Sequence, residues 1–135
     1  AVADAALIAD LNKMKFSTNP YCINRLSALA GIAAMGDADY HRENCRRIMD
    51  TRARTAAQLA DRGFETLPSC ANFLFTRRPG LGGRALYEGL RRRCVLVRYF
   101  DRPRTADFIR VTIGTPEDMH GFIAAVDDIL KEELQ

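Results

Sequence analysis

No stretch of this 135-residue chain approaches the ~18 to 20 consecutive apolar residues of a membrane-spanning helix, so no membrane span is expected. The first residues, AVADAALIADLNKMK, lack a basic segment followed by an uninterrupted apolar one, which argues against a signal peptide. Position 1 is not methionine, as in a processed chain or in a piece of a longer one. The four cysteines, Cys22, Cys45, Cys70 and Cys94, form no C-x-x-C pair and have no histidine at ligand spacing. Neither a metal site nor a disulfide framework is therefore expected, and the cysteines read as free thiols of a cytoplasmic protein. The net charge of +3 is small and dispersed. The arginine run Arg42, Arg46, Arg47, Arg52 and Arg54 carries no interleaved aromatics on which bases could stack, so it reads as a solvated helix face and nucleic acid is not an expected partner. Lysine is scarce, confined to Lys13, Lys15 and Lys131.

What is present describes one globular domain. A composition of 47% hydrophobic and 27% charged residues suits an ordinary soluble fold with a single core. Residues 3–14 place Leu7, Ile8 and Leu11 on one helical face, and residues 13–21 hold the breakers Ser17, Thr18, Asn19 and Pro20 and read as irregular. Ile23, Leu26, Leu29, Ala30 and Ala33 recur at helical spacing up to Gly36. Asp37 suits the N-cap of a longer helix to Asp61, which Gly63 closes at the C′ position.

Beyond Gly63 the apolar period shortens. Residues 64–67, 72–76 (NFLFT), 94–99 and 107–113 read as strands, with a loop at RRPGLGG (77–83) and a helix over 84–93. Thr115 as N-cap, Pro116 at N1, and Glu117 and Asp118 at the positive end of the dipole start a last helix to about Leu134. The order predicts an α+β fold: a small two-layer sandwich, with a mainly antiparallel sheet of three to four strands and helices packed on one face.

Two arginines, Arg98 and Arg110, each follow β-favouring apolar residues and lie twelve residues apart. On strands joined by one excursion they can meet at the same edge of a sheet. Two unpaired guanidinium groups there make a fork for a carboxylate or a phosphate, since planar bidentate geometry suits both. The residue types indicate an anion site without selecting the anion.

LPSCANFLF, CVLVRYF and FIRVTIGTPEDM with its amphipathic closing helix, in that order, resemble the carboxy-terminal small domain of fold-type I pyridoxal-phosphate-dependent aminotransferases, and are most similar to the histidinol-phosphate branch. PYCINRLSALAGIAAMGDADY resembles the helical connection that precedes that domain, with Cys22 where the family often has Asn. The resemblance implies that residues 1–36 are this connection and 37–135 the small domain. It also implies that Arg110 binds the substrate carboxylate and that Arg98 contacts the phosphate of histidinol phosphate or the distal carboxylate of glutamate. Asn72 takes the place of an asparagine that is structural or close to the site, and Gly114 and Thr115 shape the turn behind Arg110.

Transamination needs a lysine that forms an imine with pyridoxal phosphate. In the family that lysine stands on the large domain, in a Ser-Lys-x-x-x-Leu-x-Gly-x-Arg-like context. Lys13 and Lys15 lie in LNKMKFS, past that point of the family's chain, and Lys131 lies in the final helix. The expectation is therefore no catalytic residue in this chain and no cofactor bound by it alone. Pyridoxal phosphate, homodimer formation and a place in histidine biosynthesis belong to the longer parent. Two other readings stand beside this one: a free-standing anion-binding module of the same fold, and a structural or interaction domain. The latter should show an unusually apolar face on the first helices and the LFT strand.

Overall fold

Residues 2–18 and 23–132 are described by the computed structural model, and they fall into two units, Ala1–His41 and Arg42–Gln135. The first unit holds α1 (Ala5–Thr18), α2 (Arg25–Gly36) and the start of α3 (Ala38–Asp61). α1 runs through residues 15–18, which the breakers had marked as irregular. Ser17 Oγ donates to the carbonyls of Lys13 and Met14 at 2.9 and 3.1 Å, so the hydroxyl is absorbed by the helix it was expected to interrupt. Cys22 lies outside the described residues. Asn24 caps α2 by accepting from the Ser27 amide at 2.8 Å, and Asp37 caps α3 by accepting from the Tyr40 amide at 3.0 Å. α2 buries none of its residues: Leu26 and Ile32 are 79% and 72% exposed.

The second unit begins within α3 and adds β1 (Glu65–Thr66), β2 (Phe73–Arg77), α4 (Gly83–Arg92), β3 (Arg98–Tyr99), β4 (Ile109–Thr112) and α5 (Pro116–Glu132). The sheet order is β1-β2-β4-β3 with every neighbouring pair antiparallel, so β2 and β3 run parallel, joined through α4, and β4 is inserted between them. The α+β sandwich with a four-stranded antiparallel sheet is thus observed. Alternation along the central strands decides the faces. Leu74 and Thr76 of β2 and Ile109 and Val111 of β4 are buried, against Leu86 and Leu90 of α4, Phe122, Val126 and Ile129 of α5, and Leu59 of α3. Phe73, Phe75, Arg98, Arg110 and Thr112 point the other way.

Local chemistry explains most boundaries. α3 ends in a Schellman motif, with Phe64 N–H on the Leu59 carbonyl, Gly63 N–H on the Ala60 carbonyl and Gly63 at φ 74°. Arg78 to Leu81 is a turn with Pro79 at its second position and Gly80 at φ 86°, closed by Leu81 N–H on the Arg78 carbonyl at 3.0 Å. α5 opens on a reciprocal cap: Thr115 Oγ1 accepts from the Asp118 amide at 3.2 Å, and the Asp118 carboxylate accepts from the Thr115 amide at 2.9 Å. Those bonds hold the Asp118 carboxyl below the usual carboxylate range, the backbone bond from Thr115 most of all.

Three expected strands are shorter than their sequence suggested, the first of them reduced to Glu65–Thr66. Over residues 94–97 the ladder is replaced by a second Schellman motif: Val95 N–H binds the Leu90 carbonyl and Cys94 N–H the Arg91 carbonyl, with Cys94 itself at φ 60°. Those amides close α4, and only Arg98 and Tyr99 pair with β4. β4 starts at Ile109 because Phe108 N–H turns back onto the Thr105 carbonyl. The expected end of the last helix at Leu134 lies outside the described residues.

Candidate functional site

Arg98 of β3 and Arg110 of β4 are directly opposed in register, and Arg110 is in turn opposed to Phe75 of β2. The two arginines therefore stand side by side across the β3–β4 ladder, at the sheet edge that β3 forms and on the face turned away from the core. Arg98 is exposed and Arg110 half-buried. Like charges placed directly across a ladder repel, and among the described residues neither guanidinium forms an ion pair.

Aromatic rings take the place of carboxylates. The Phe100 ring lies 5.3 Å from the Arg98 guanidinium carbon and 5.9 Å from that of Arg110, and the Phe73 ring lies 5.3 Å from Arg110 on another side. Such contacts place the negative faces of the rings against the positive charges. Arg110 Nε is buried and has no protein partner. Four arginines of the second unit are carboxylate-bound, Arg62 with Asp127, Arg77 with Glu65, Arg84 with Asp101 and Arg93 with Glu132, while Arg78 Nε, like Arg110 Nε, is buried without a protein partner. Among the described residues no carboxylate engages the Arg98–Arg110 pair, which leaves its guanidinium groups able to receive a carboxylate or phosphate.

Asn72 stands just before β2 with its side chain exposed. Its carbonyl accepts from the Ile113 amide at 2.9 Å, which extends the β2–β4 ladder by one bond beyond Thr112. Gly114 and Thr115 follow directly, and the cap they begin fixes where α5 leaves the sheet. Sequence reasoning missed Phe100 and Phe73. The signal was present, since Phe100 is two residues after Arg98 and two-residue spacing on an extended chain gives one face.

Among the described residues no group of three His, Cys, Asp or Glu is placed to hold a metal ion, and no helix is long and apolar enough to cross a membrane.

The family model of aminotransferase class I and II matches residues 1–126. The chain belongs to that aminotransferase family. It is 40% identical over 133 residues to histidinol-phosphate aminotransferase 1 of Hydrogenovibrio crunogenus, which covers 98% of this chain and 37% of that protein. Among solved structures, histidinol-phosphate aminotransferase from Sinorhizobium meliloti in complex with pyridoxal-5′-phosphate aligns with a TM-score of 0.79 at 25% identity, over 88% of this chain and 34% of that one. A putative histidinol-phosphate aminotransferase from Erwinia carotovora atroseptica shares the fold with a TM-score of 0.83 at 23% identity, over 98% of this chain and 37% of that one. This aminotransferase chain therefore spans a little over a third of the length of the curated relatives it matches.

Lys13 pairs with Asp10 at 3.3 Å and Lys131 with Asp128 at 3.2 Å, and the Lys15 Nζ lies 5.7 Å from the Phe16 ring centre. All three lysine side chains are exposed.

Proposed function

We propose that this chain is the carboxy-terminal part of a histidinol-phosphate aminotransferase, a cytoplasmic, homodimeric pyridoxal-phosphate enzyme that moves an amino group between glutamate and imidazole-acetol phosphate. The observation that carries the reading is the cross-strand pair Arg98 and Arg110, ring-supported and free of carboxylate partners. In this role Arg110, with its buried and unpaired Nε, binds the substrate carboxylate. Arg98, more exposed, receives the phosphate of histidinol phosphate or the distal carboxylate of glutamate. Asn72 supports them by tying the start of β2 to the end of β4. The pair exchanges the substrate's freedom for orientation and contributes no proton transfer of its own. The imine lysine and the phosphate cup belong to the remainder of the longer protein, so the 135-residue chain alone does not transaminate.

The test is steady-state kinetics of the longer protein with each amino donor. Losing one bidentate charged contact in a closed site costs on the order of 2 to 5 kcal/mol. Arg110→Ala should lower kcat/KM for both substrates, and Arg98→Ala should lower it more for the phosphate ester than for glutamate. Equal losses for the two substrates in Arg98→Ala would refute the division of labour. Turnover by the isolated 135-residue chain would refute the assignment of the cofactor site elsewhere.

A further inference from the structure

Phe100 occupies a position that neither the anion-site reading nor the family assignment accounts for. It follows β3 by one residue, and its backbone is fixed: its carbonyl accepts from the Arg102 amide and from Thr105 Oγ1, both at 3.0 Å. The ring is half-buried and lies against both guanidinium groups, at 5.3 Å from Arg98 and 5.9 Å from Arg110. Without it the opposed register of Arg98 and Arg110 leaves two like charges to repel, the exposed Arg98 is free to swing toward solvent, and Arg110 keeps only the Phe73 ring. A carboxylate in the same place would relieve the repulsion but would occupy the donors, as Glu65 does for Arg77. An aromatic face relieves it while leaving the N–H groups unengaged.

We propose that Phe100 is a positioning residue for the arginine pair, holding both cations together and donor-ready so that one anionic group can bind across them. The inference rests on the anion-site reading above. It adds that affinity depends on the electrostatics of a ring that makes no hydrogen bond to the ligand.

Titration of the 135-residue chain with inorganic phosphate, against chloride at equal ionic strength, reads the affinity. Three variants accompany it: Phe100→Leu, Phe100→Tyr, and replacement of the Phe100 ring by its pentafluoro analogue, which keeps the shape and reverses the charge of the face. Loss of two cation–ring contacts should weaken phosphate binding about tenfold in Phe100→Leu and in the fluorinated chain. Phe100→Tyr should bind within about twofold of the unsubstituted protein, since its ring has a similar face. If the leucine variant fails to fold, the fluorinated chain decides alone. Undiminished affinity in the fluorinated chain, with binding abolished in the double variant Arg98→Gln, Arg110→Gln, overturns the role of Phe100 and leaves the anion site standing. Phosphate binding that is absent, or indifferent to the double arginine variant, overturns both.

Discussion

Replacing Cys94 with glycine should stabilise the protein, although it deletes a side chain. Cys94 sits at the C′ position of α4 with φ 60°, where the Val95 and Cys94 amides reach back to the Leu90 and Arg91 carbonyls at 3.0 and 3.1 Å. The equivalent position after α3 is Gly63, at φ 74°. A residue with a Cβ pays about 1 to 2 kcal/mol to hold the left-handed conformation, and glycine pays almost nothing. Against this, glycine loses more backbone freedom on folding, about 0.5 to 1 kcal/mol relative to alanine. The Cys94 side chain is exposed, so little packing is lost with it. The balance favours Cys94→Gly by roughly 0.5 to 1 kcal/mol, or a rise in Tm of about 2 to 5 °C for a chain of this size. Cys94→Ala should leave Tm within a degree or so, and Cys94→Val should lower it, because a β-branched residue tolerates positive φ least. Thermal and urea unfolding followed by circular dichroism give the ranking. A valine variant as stable as the glycine variant, or a glycine variant no better than the parent, would show that the left-handed turn costs nothing here and would refute the reasoning.

Two further outcomes follow from packing and charge. Arg62 grips Asp127 through two hydrogen bonds, and the bond from Arg62 holds the Asp127 carboxyl below its ordinary value. A carboxylate whose folded pKa is depressed stabilises the fold above its unfolded pKa, near 3.8, and loses that contribution as pH falls through the lower folded value. With the two side chains 25% and 36% exposed, the pair contributes only about 0.5 to 1 kcal/mol. Asp127→Asn should therefore lower stability at pH 7 by that amount and flatten the acid side of the stability profile below pH ~4; equal acid slopes in parent and variant would contradict it. At Gly83 an added Cβ would stand 2.5 Å from the Ala106 carbonyl oxygen, a backbone atom with little room to retreat. Gly83→Ala should cost about 1 to 3 kcal/mol by urea unfolding despite the better helix propensity of alanine, and a gain in stability would show that the 100–108 loop yields freely.

The elements whose limits depend on neighbouring chemistry were legible in the sequence. Asp37, Gly63 and Thr115 announce their caps because the bonds involved span only a few residues. Residues 94–97 misled for the same reason in reverse. They are apolar and β-favouring, and the helix before them ends on a cysteine in a place where glycine is the usual signal, so the terminator carried no mark. The Ser17 hydroxyl, counted as a breaker, had a second local partner in the turn behind it. The arginine pair was half legible. Spacing puts Arg98 and Arg110 on consecutive strands, but the register that sets them directly opposite depends on where β3 and β4 start, and both starts are fixed by the turns before them rather than by the apolar pattern. The helical spacing of Leu26 and Leu29 located α2 correctly, but it carries no information on what covers that face, and both side chains are exposed in the structure.

The strand order β1-β2-β4-β3 has a meaning for the chain while it is being made. The hairpin of β1 and β2 leaves the ribosome first, with one edge of β2 unpaired, and the strand that closes this edge is the last of the four to be synthesised. Through the interval in which α4 and β3 emerge, Phe73 to Arg77 present open backbone donors and acceptors beside exposed phenylalanines, the kind of edge that pairs with a second nascent chain. Pairing of residues 109–112 with both neighbours ends that interval by filling the centre of the sheet. A stop codon or a stalled ribosome shortly before Ile109 would release two edge strands with no partner between them, a product suited to aggregation or proteolysis rather than to slow repair.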